Sequence, residues 1–355
     1  MVRVSSLDGV RGLAVLFVLL YHAAGEVLGG FLLQSGVDLF FVLSGFLITT
    51  ILVRTRDRSD YFRLFYGRRA VRIFPLYYLV FTVTLALAWM AIRMGIQDSV
   101  GYPKAQNLID NQMWGWLYQV NNLVAFNGTA AFPAINHLWS LSVEEQFYMV
   151  WPLVVLLVPR KRLFSICIGV AVVSMVFRMG SFALVDRDVA YYFTLCRLDG
   201  LALGAAGAVV LQTPHLRERF RPWIEWMGRK WWIAFVLLLM PEPVALMGGL
   251  TILGLAYLGF VLSAREGTLT ERPTRWLNSR FLLELGTYSY AIYVFSFPIT
   301  AAALTFNPTH IPLVDGCIRV TIVGGLSYGL ARVSWVLWEK PWLRLKTRMS
   351  YRAGT

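Results

Sequence analysis

Ten runs of apolar residues, each close to twenty long, recur along the chain and limit its fold more than any other feature. At 1.5 Å per residue, a helix of that length crosses the roughly 30 Å hydrocarbon layer of a bilayer. The runs lie near 7–28, 36–53, 73–94, 139–158, 163–185, 190–211, 231–246, 244–263, 282–305 and 315–338. The seventh and eighth meet at Pro241-Glu-Pro243. The 355 residues are 57% hydrophobic and 15% charged, with 13 Trp. The mean hydropathy is +0.58. These values predict one all-α polytopic membrane helix bundle over residues 1–355, not a soluble globule.

Charge placement tests that count independently. With the N-terminus inside, the inner segments hold Arg54, Arg56, Arg58, Arg63, Arg68, Arg69 and Arg72, then Arg160 to Arg162. Arg217 to Lys230, Arg265 to Arg280 and the tail from Lys340 to Arg352 follow, whereas the outer segments hold little beyond Lys104 and Arg187. This is the positive-inside asymmetry, and ten spans with both termini cytoplasmic satisfy it. The net charge of +13 is therefore topology, not a sign of nucleic-acid binding. Anionic lipid or an anionic cosubstrate are its further expected partners. Cys167, Cys196 and Cys317 fall within apolar runs without disulfide or metal spacing. The four histidines form no ligand pair at helical spacing, so no metal site is expected.

The first run carries Arg11 and His22, with Ser5 and Asp8 fitting a capping box at its start. Eleven steps of about 100° bring the two side chains to one face, and the rise between them is roughly 16 Å. A cation then sits at the membrane edge and an imidazole about half-way through. Ionisable groups at that depth face a cavity or a partner. Asp38, early in the second run, either favours a helix N-terminus or orients His22 across a tight turn at Gly29-Gly30 and Gly36. Ser44 can hydrogen-bond a neighbouring helix, packing being its simpler role.

Arg69 and Arg72, three apart on one helix side and preceded by Arg68, suit a bidentate grip on phosphate oxygens at the membrane surface. In the stretch His137-Leu-Trp139-Ser-Leu-Ser142-Val-Glu144-Glu145-Gln146, Ser142 and Glu145 fit a capping box. Glu144 points about 100° away and has no such explanation, which makes it an acid/base candidate. The long outer stretch 95–138 carries Trp114, Trp116 and Tyr118, interfacial aromatics that anchor helices and can also stack on sugars; His137, Trp139 and Tyr290 are candidates for contacting an acceptor. Arg197 and Asp199, two apart, cannot face each other on a helix, so each is expected to pair with another span. Glu339 is read as an ion-pair partner at the inner surface.

Several blocks stand in order: Arg11-x10-His22, Gly-Val-Asp-Leu-Phe-Phe-Val-Leu-Ser-Gly-Phe at 36–46, Arg69-x-x-Arg72 and His-Leu-Trp-Ser-Leu-Ser-Val-Glu-Glu-Gln-Phe-Tyr at 137–148. Arg-Leu-Asp-Gly at 197–200 and Glu-Lys-Pro at 339–341 follow. Together they resemble the bacterial membrane acyltransferase-3 family, integral O-acyltransferases that modify surface polysaccharides, lipopolysaccharide and some macrolide sugars. The resemblance runs nearly end to end. It implies transfer of an acyl group, usually acetyl from acetyl-CoA, to a sugar hydroxyl of a surface glycan or glycosylated metabolite, at the bacterial cytoplasmic (inner) membrane. It makes His22 and Arg11 the functional pair and gives Arg69 and Arg72 to the acyl-CoA donor; Arg68 and Ser44 are added to that donor set. Two departures stand out. Ser296 occupies a position where many relatives have His, and the chain ends about fifteen residues past its last apolar run, which favours a stand-alone transferase.

In the mechanism this reading implies, neutral His22 takes the proton of the acceptor hydroxyl as it attacks the thioester. Arg11, Glu144 or Asp38 orients the imidazole or stabilises charge. No serine or cysteine stands beside a base in sequence, which favours direct transfer over an acyl-enzyme, with an acyl-histidine left open. The rival readings are a transporter or flippase for an acyl or glycolipid group, without self-similar halves to support it, and a structural membrane protein, against which His22, Asp38 and Arg197 argue.

Overall fold

A computed structural model describes residues 5–28, 33–95, 105–303, 309 and 311–345. Among these residues every regular element is helical. The long helices are α1 (Ser5–Leu28), α2 (Gly36–Thr55), α3 (Tyr61–Arg93), α4 (Trp139–Leu157) and α5 (Arg160–Leu184). They continue with α6 (Thr194–Gln212), α7 (Leu250–Glu266), α8 (Arg280–Ala303) and α9 (Pro312–Ser334). Seven helical stretches among the described residues are long and apolar enough to cross a membrane. Helices α4, which carries Glu144, Glu145 and Gln146, and α8 are of similar length but are not among those seven. The turn expected at Gly29-Gly30, together with Lys104, His310 and the tail beyond Leu345, lies outside the described residues.

The apolar run at 231–246 departs from the expected continuous span. It forms a short helix, Ile233–Val236, and a 3-10 turn, Leu237–Leu239, and the chain then turns extended at Met240 and Pro241. Pro241 and Pro243 offer no N–H donors, so the helical ladder cannot run through them. Gly228 abuts the Thr268 carbonyl, Phe235 meets Phe17 and Phe260, and Glu242 binds Arg187 at 2.7 Å. Arg160 with Asp57 (2.6 Å) and Arg217 with Glu266 tie helix ends together at the end holding the arginine clusters.

Three local expectations are corrected. The helix expected from residue 73 begins already at Tyr61 as α3, whose 33 residues exceed what a bilayer core needs. Ser5 does not cap α1: its hydroxyl donates to Asn278 at 2.6 Å, while Asp8 pairs with Arg11 at 3.3 Å. Ser142 lies one turn inside α4 and donates to the Leu138 carbonyl at 3.1 Å, so the Ser142–Glu145 capping box does not form. The long segment before α4 folds back on α3, with Tyr118 stacked on Tyr77 at 4.2 Å.

Close backbone approach organises the centre. A Cβ on Gly286 of α8 would stand 1.9 Å from the Asp8 carbonyl oxygen, and one on Gly12 of α1 would stand 2.0 Å from that of Leu282. The same holds for α2 and α6 at Gly45 and Gly204, where the opposed carbonyls are those of Leu201 and Val42. Without aqueous exclusion between helices, such small-residue contacts let van der Waals packing hold a membrane bundle together. As expected, Arg197 and Asp199 pair with other spans. Arg197 binds Asp38 at 2.7 Å, and Asp199 binds Arg178 at 2.8 Å and Thr251 at 2.6 Å. Glu339, expected in an ion pair, is buried and accepts from the Ser334 hydroxyl at 3.2 Å, with no ion pair among the described residues.

Candidate active site

Helices α1, α2, α3, α4 and α8 enclose a crevice of about 750 Å³ including its mouth. The register set by the glycine contacts turns Arg11 of α1 into it, and the first turns of α3 add Arg69 and Arg72. Three guanidiniums facing one space repel one another, and an anion between them removes that repulsion. Opposite them stands Glu144. Its carboxylate accepts from the Ser44 hydroxyl at 2.8 Å and from the Tyr148 phenol at 2.9 Å. The Arg69 guanidinium lies over the Tyr148 ring at 4.8 Å, so the cation and the carboxylate share one supporting side chain. Tyr290 lines the crevice with its hydroxyl tied to the Ile73 carbonyl at 2.7 Å, which joins α8 to α3 beside Arg72.

The deep end is closed by Ser140 and Tyr293. Their hydroxyls are 2.5 Å apart, and the Tyr293 phenol also donates to the His137 carbonyl. Behind this layer lies His137, whose ring centroid is 5.2 Å from that of Tyr293 and 5.8 Å from that of His22. His22 is half-buried and turned inward toward α8. Its Nδ1 is 2.9 Å from the Ser296 hydroxyl, and its ring meets Phe297 at 5.1 Å. Two residues beyond His22, α1 leaves helical geometry at Ala24 (φ −148°, ψ 21°).

The structure thus brings Arg11, Ser44, Arg69, Arg72, Glu144 and Tyr290 to one crevice. His22 and His137 form a pair beyond its closed end and do not line it. Asp38 is buried against Arg197, away from His22, and Trp139 packs over the same guanidinium at 5.5 Å. Arg68 does not line the crevice either. Sequence reasoning missed Tyr148, Tyr293 and Ser140. Tyr148 was within reach, since four residues after Glu144 places it on the same helix face. Among the described residues no group of three or more His, Cys, Asp and Glu could hold a metal ion.

Fold and site are those of a polytopic helix bundle with a cationic crevice at one end and, behind it, a histidine pair of which His137 is buried and His22 half-buried. A family model described as "Acyltransferase domain" matches residues 4–336, and the chain belongs to that acyltransferase-3 family. It is similar to the peptidoglycan O-acetyltransferase OatA of Listeria monocytogenes, 30% identical over 83% of this chain and 49% of the relative. It is also similar to YrhL of Bacillus subtilis, a provisionally named peptidoglycan O-acetyltransferase, at 29% identity over 92% of this chain and 54% of the relative. The chain spans about half the length of these curated relatives. No solved structure matches.

Proposed function

We propose that the chain is a membrane O-acetyltransferase of the bacterial inner membrane that moves an acetyl group from acetyl-CoA to a sugar hydroxyl of a cell-surface glycan. The observation that carries this reading is the convergence of Arg11, Arg69 and Arg72 on one crevice whose closed end abuts the His137–His22 pair. The phosphates of the donor bind the guanidiniums through charge-assisted hydrogen bonds at the end where the basic loops cluster, the cytoplasmic one. The thin pantetheine arm points along the crevice toward Tyr293. Shifting the Tyr293 ring off Ser140 opens the way to His22.

The acceptor oxygen then attacks the thioester carbonyl while His22 takes its proton. The C–S bond breaks, and the departing thiolate is protonated in turn. Glu144, held by Ser44 and Tyr148, sets the position of Arg69 through their shared tyrosine. The names of the relatives support glycan as the acceptor. Purified protein in lipid nanodiscs, given labelled acetyl-CoA and glycan fragments, tests the reading. Label should reach the glycan and be lost in His22→Ala. Acetyl-CoA or glycan crossing a sealed vesicle without any acetylated product would overturn it in favour of a carrier.

A further inference from the structure

Ser296 stands beside one ring nitrogen of His22. Its hydroxyl is buried, 1% exposed, on the face of α8 that meets α1. Two neighbours lie within hydrogen-bond distance: the backbone carbonyl of Tyr293 at 3.0 Å, one turn earlier, and Nδ1 of His22 at 2.9 Å. A serine hydroxyl has one proton and two lone pairs, and a carbonyl can only accept. If Nδ1 carries a proton, both contacts are satisfied: Ser296 donates to Tyr293 and accepts from His22. If Nδ1 is bare, the single hydroxyl proton must serve it. The Ser296 and Tyr293 oxygens would then face each other at 3.0 Å through lone pairs alone, in a buried setting where such contacts are costly.

From this hydrogen-bond count we infer that Ser296 is a positioning residue that holds neutral His22 as the Nδ1–H tautomer, leaving Nε2 as the basic nitrogen. The inference rests on the proposed role of His22 as general base. Fixing a tautomer through the second ring nitrogen is how a catalytic imidazole is kept ready for one direction of proton transfer. Here the orienting group is a hydroxyl whose direction is itself fixed by the helix that carries it. The same helix supplies Tyr293 to the closed end of the crevice, so α8 sets both the barrier and the base behind it.

The test reads the tautomer directly. Full-length protein labelled with 15N-histidine, with the His22 signals assigned by difference from His22→Gln, should show a protonated Nδ1 and an unprotonated Nε2. Ser296→Ala should turn this into a mixture of tautomers and lower kcat by roughly tenfold with KM for acetyl-CoA unchanged. Ser296→Thr, which keeps the hydroxyl, should recover most of that loss. A wild-type spectrum with the proton on Nε2 overturns the inference without any variant, so loss of folding in Ser296→Ala does not shield it. A Ser296→Ala protein with unaltered tautomer and kcat also overturns it. Acetyl transfer surviving His22→Ala would instead defeat the proposed role of His22 as the base, while the spectrum would still report what Ser296 does.

Discussion

Substituting Gly286 by alanine should damage catalysis from a position that touches no reacting atom. The added Cβ would fall 1.9 Å from the Asp8 carbonyl oxygen, whereas such contacts are essentially never closer than 3.0 Å. The obstacle is backbone on a packed helix, so α1 and α8 must part by about 1.1 Å along that direction. The hydrogen bond between His22 and Ser296 bridges the same two helices at 2.9 Å. A rigid displacement of that size stretches it to about 4 Å, beyond bonding range. Overpacking of this kind costs about 1–3 kcal/mol. Misplacing a catalytic group by 1 Å can cost on the order of a hundredfold in rate.

The expected result is therefore a lowered melting temperature together with a kcat near one hundredth of wild type. Thermal unfolding in detergent and the nanodisc transfer assay would measure the two. Gly325→Ala on α9, where an added Cβ meets nothing within 4 Å, is the control and should change neither. A Gly286→Ala protein with wild-type melting and wild-type turnover would refute the claim that backbone contact between α1 and α8 sets the site geometry.

Arg72→Ala should raise KM for acetyl-CoA by about tenfold or more, the size of one lost charge-assisted hydrogen bond, with a smaller change in kcat; titration of initial rates checks this. An unchanged KM would remove Arg72 from donor binding. Tyr293→Ala should open the crevice to the histidine pair, so that diethylpyrocarbonate modifies His22 several-fold faster, and a non-reactive CoA analogue should protect it. Equal modification rates with and without the Tyr293 ring would show that the ring is no barrier.

Much of this architecture is written locally in the chain. Apolar runs of bilayer length fix the helices; Arg11 and His22, eleven residues apart on α1, both meet α8, but only Arg11 lines the crevice. Spacing also places Arg69 and Arg72 together, because three residues on any helix face the same way. What spacing cannot supply is the partner across a helix interface. Ser44 meets Glu144 across one hundred residues, and Asp38 meets Arg197 instead of His22, because the register at Gly45 and Gly204 turns it that way. The 231–246 segment looked like a span because composition counts apolar residues but not the missing N–H groups of Pro241 and Pro243. Tyr293 and Ser140 escaped notice because a phenol and a hydroxyl acquire meaning only when packing sets them 2.5 Å apart.

The ion pair between Asp38 and Arg197 has a bearing on biogenesis. Its two members are separated by 159 residues, so the ribosome finishes α2 long before α6 exists. At roughly 5–20 residues per second, the carboxylate waits on the order of ten to thirty seconds for its guanidinium. A lone acidic side chain is expensive in hydrocarbon. The pair can therefore close only after α6 has been made, and until then the carboxylate at the head of α2 stands without its guanidinium.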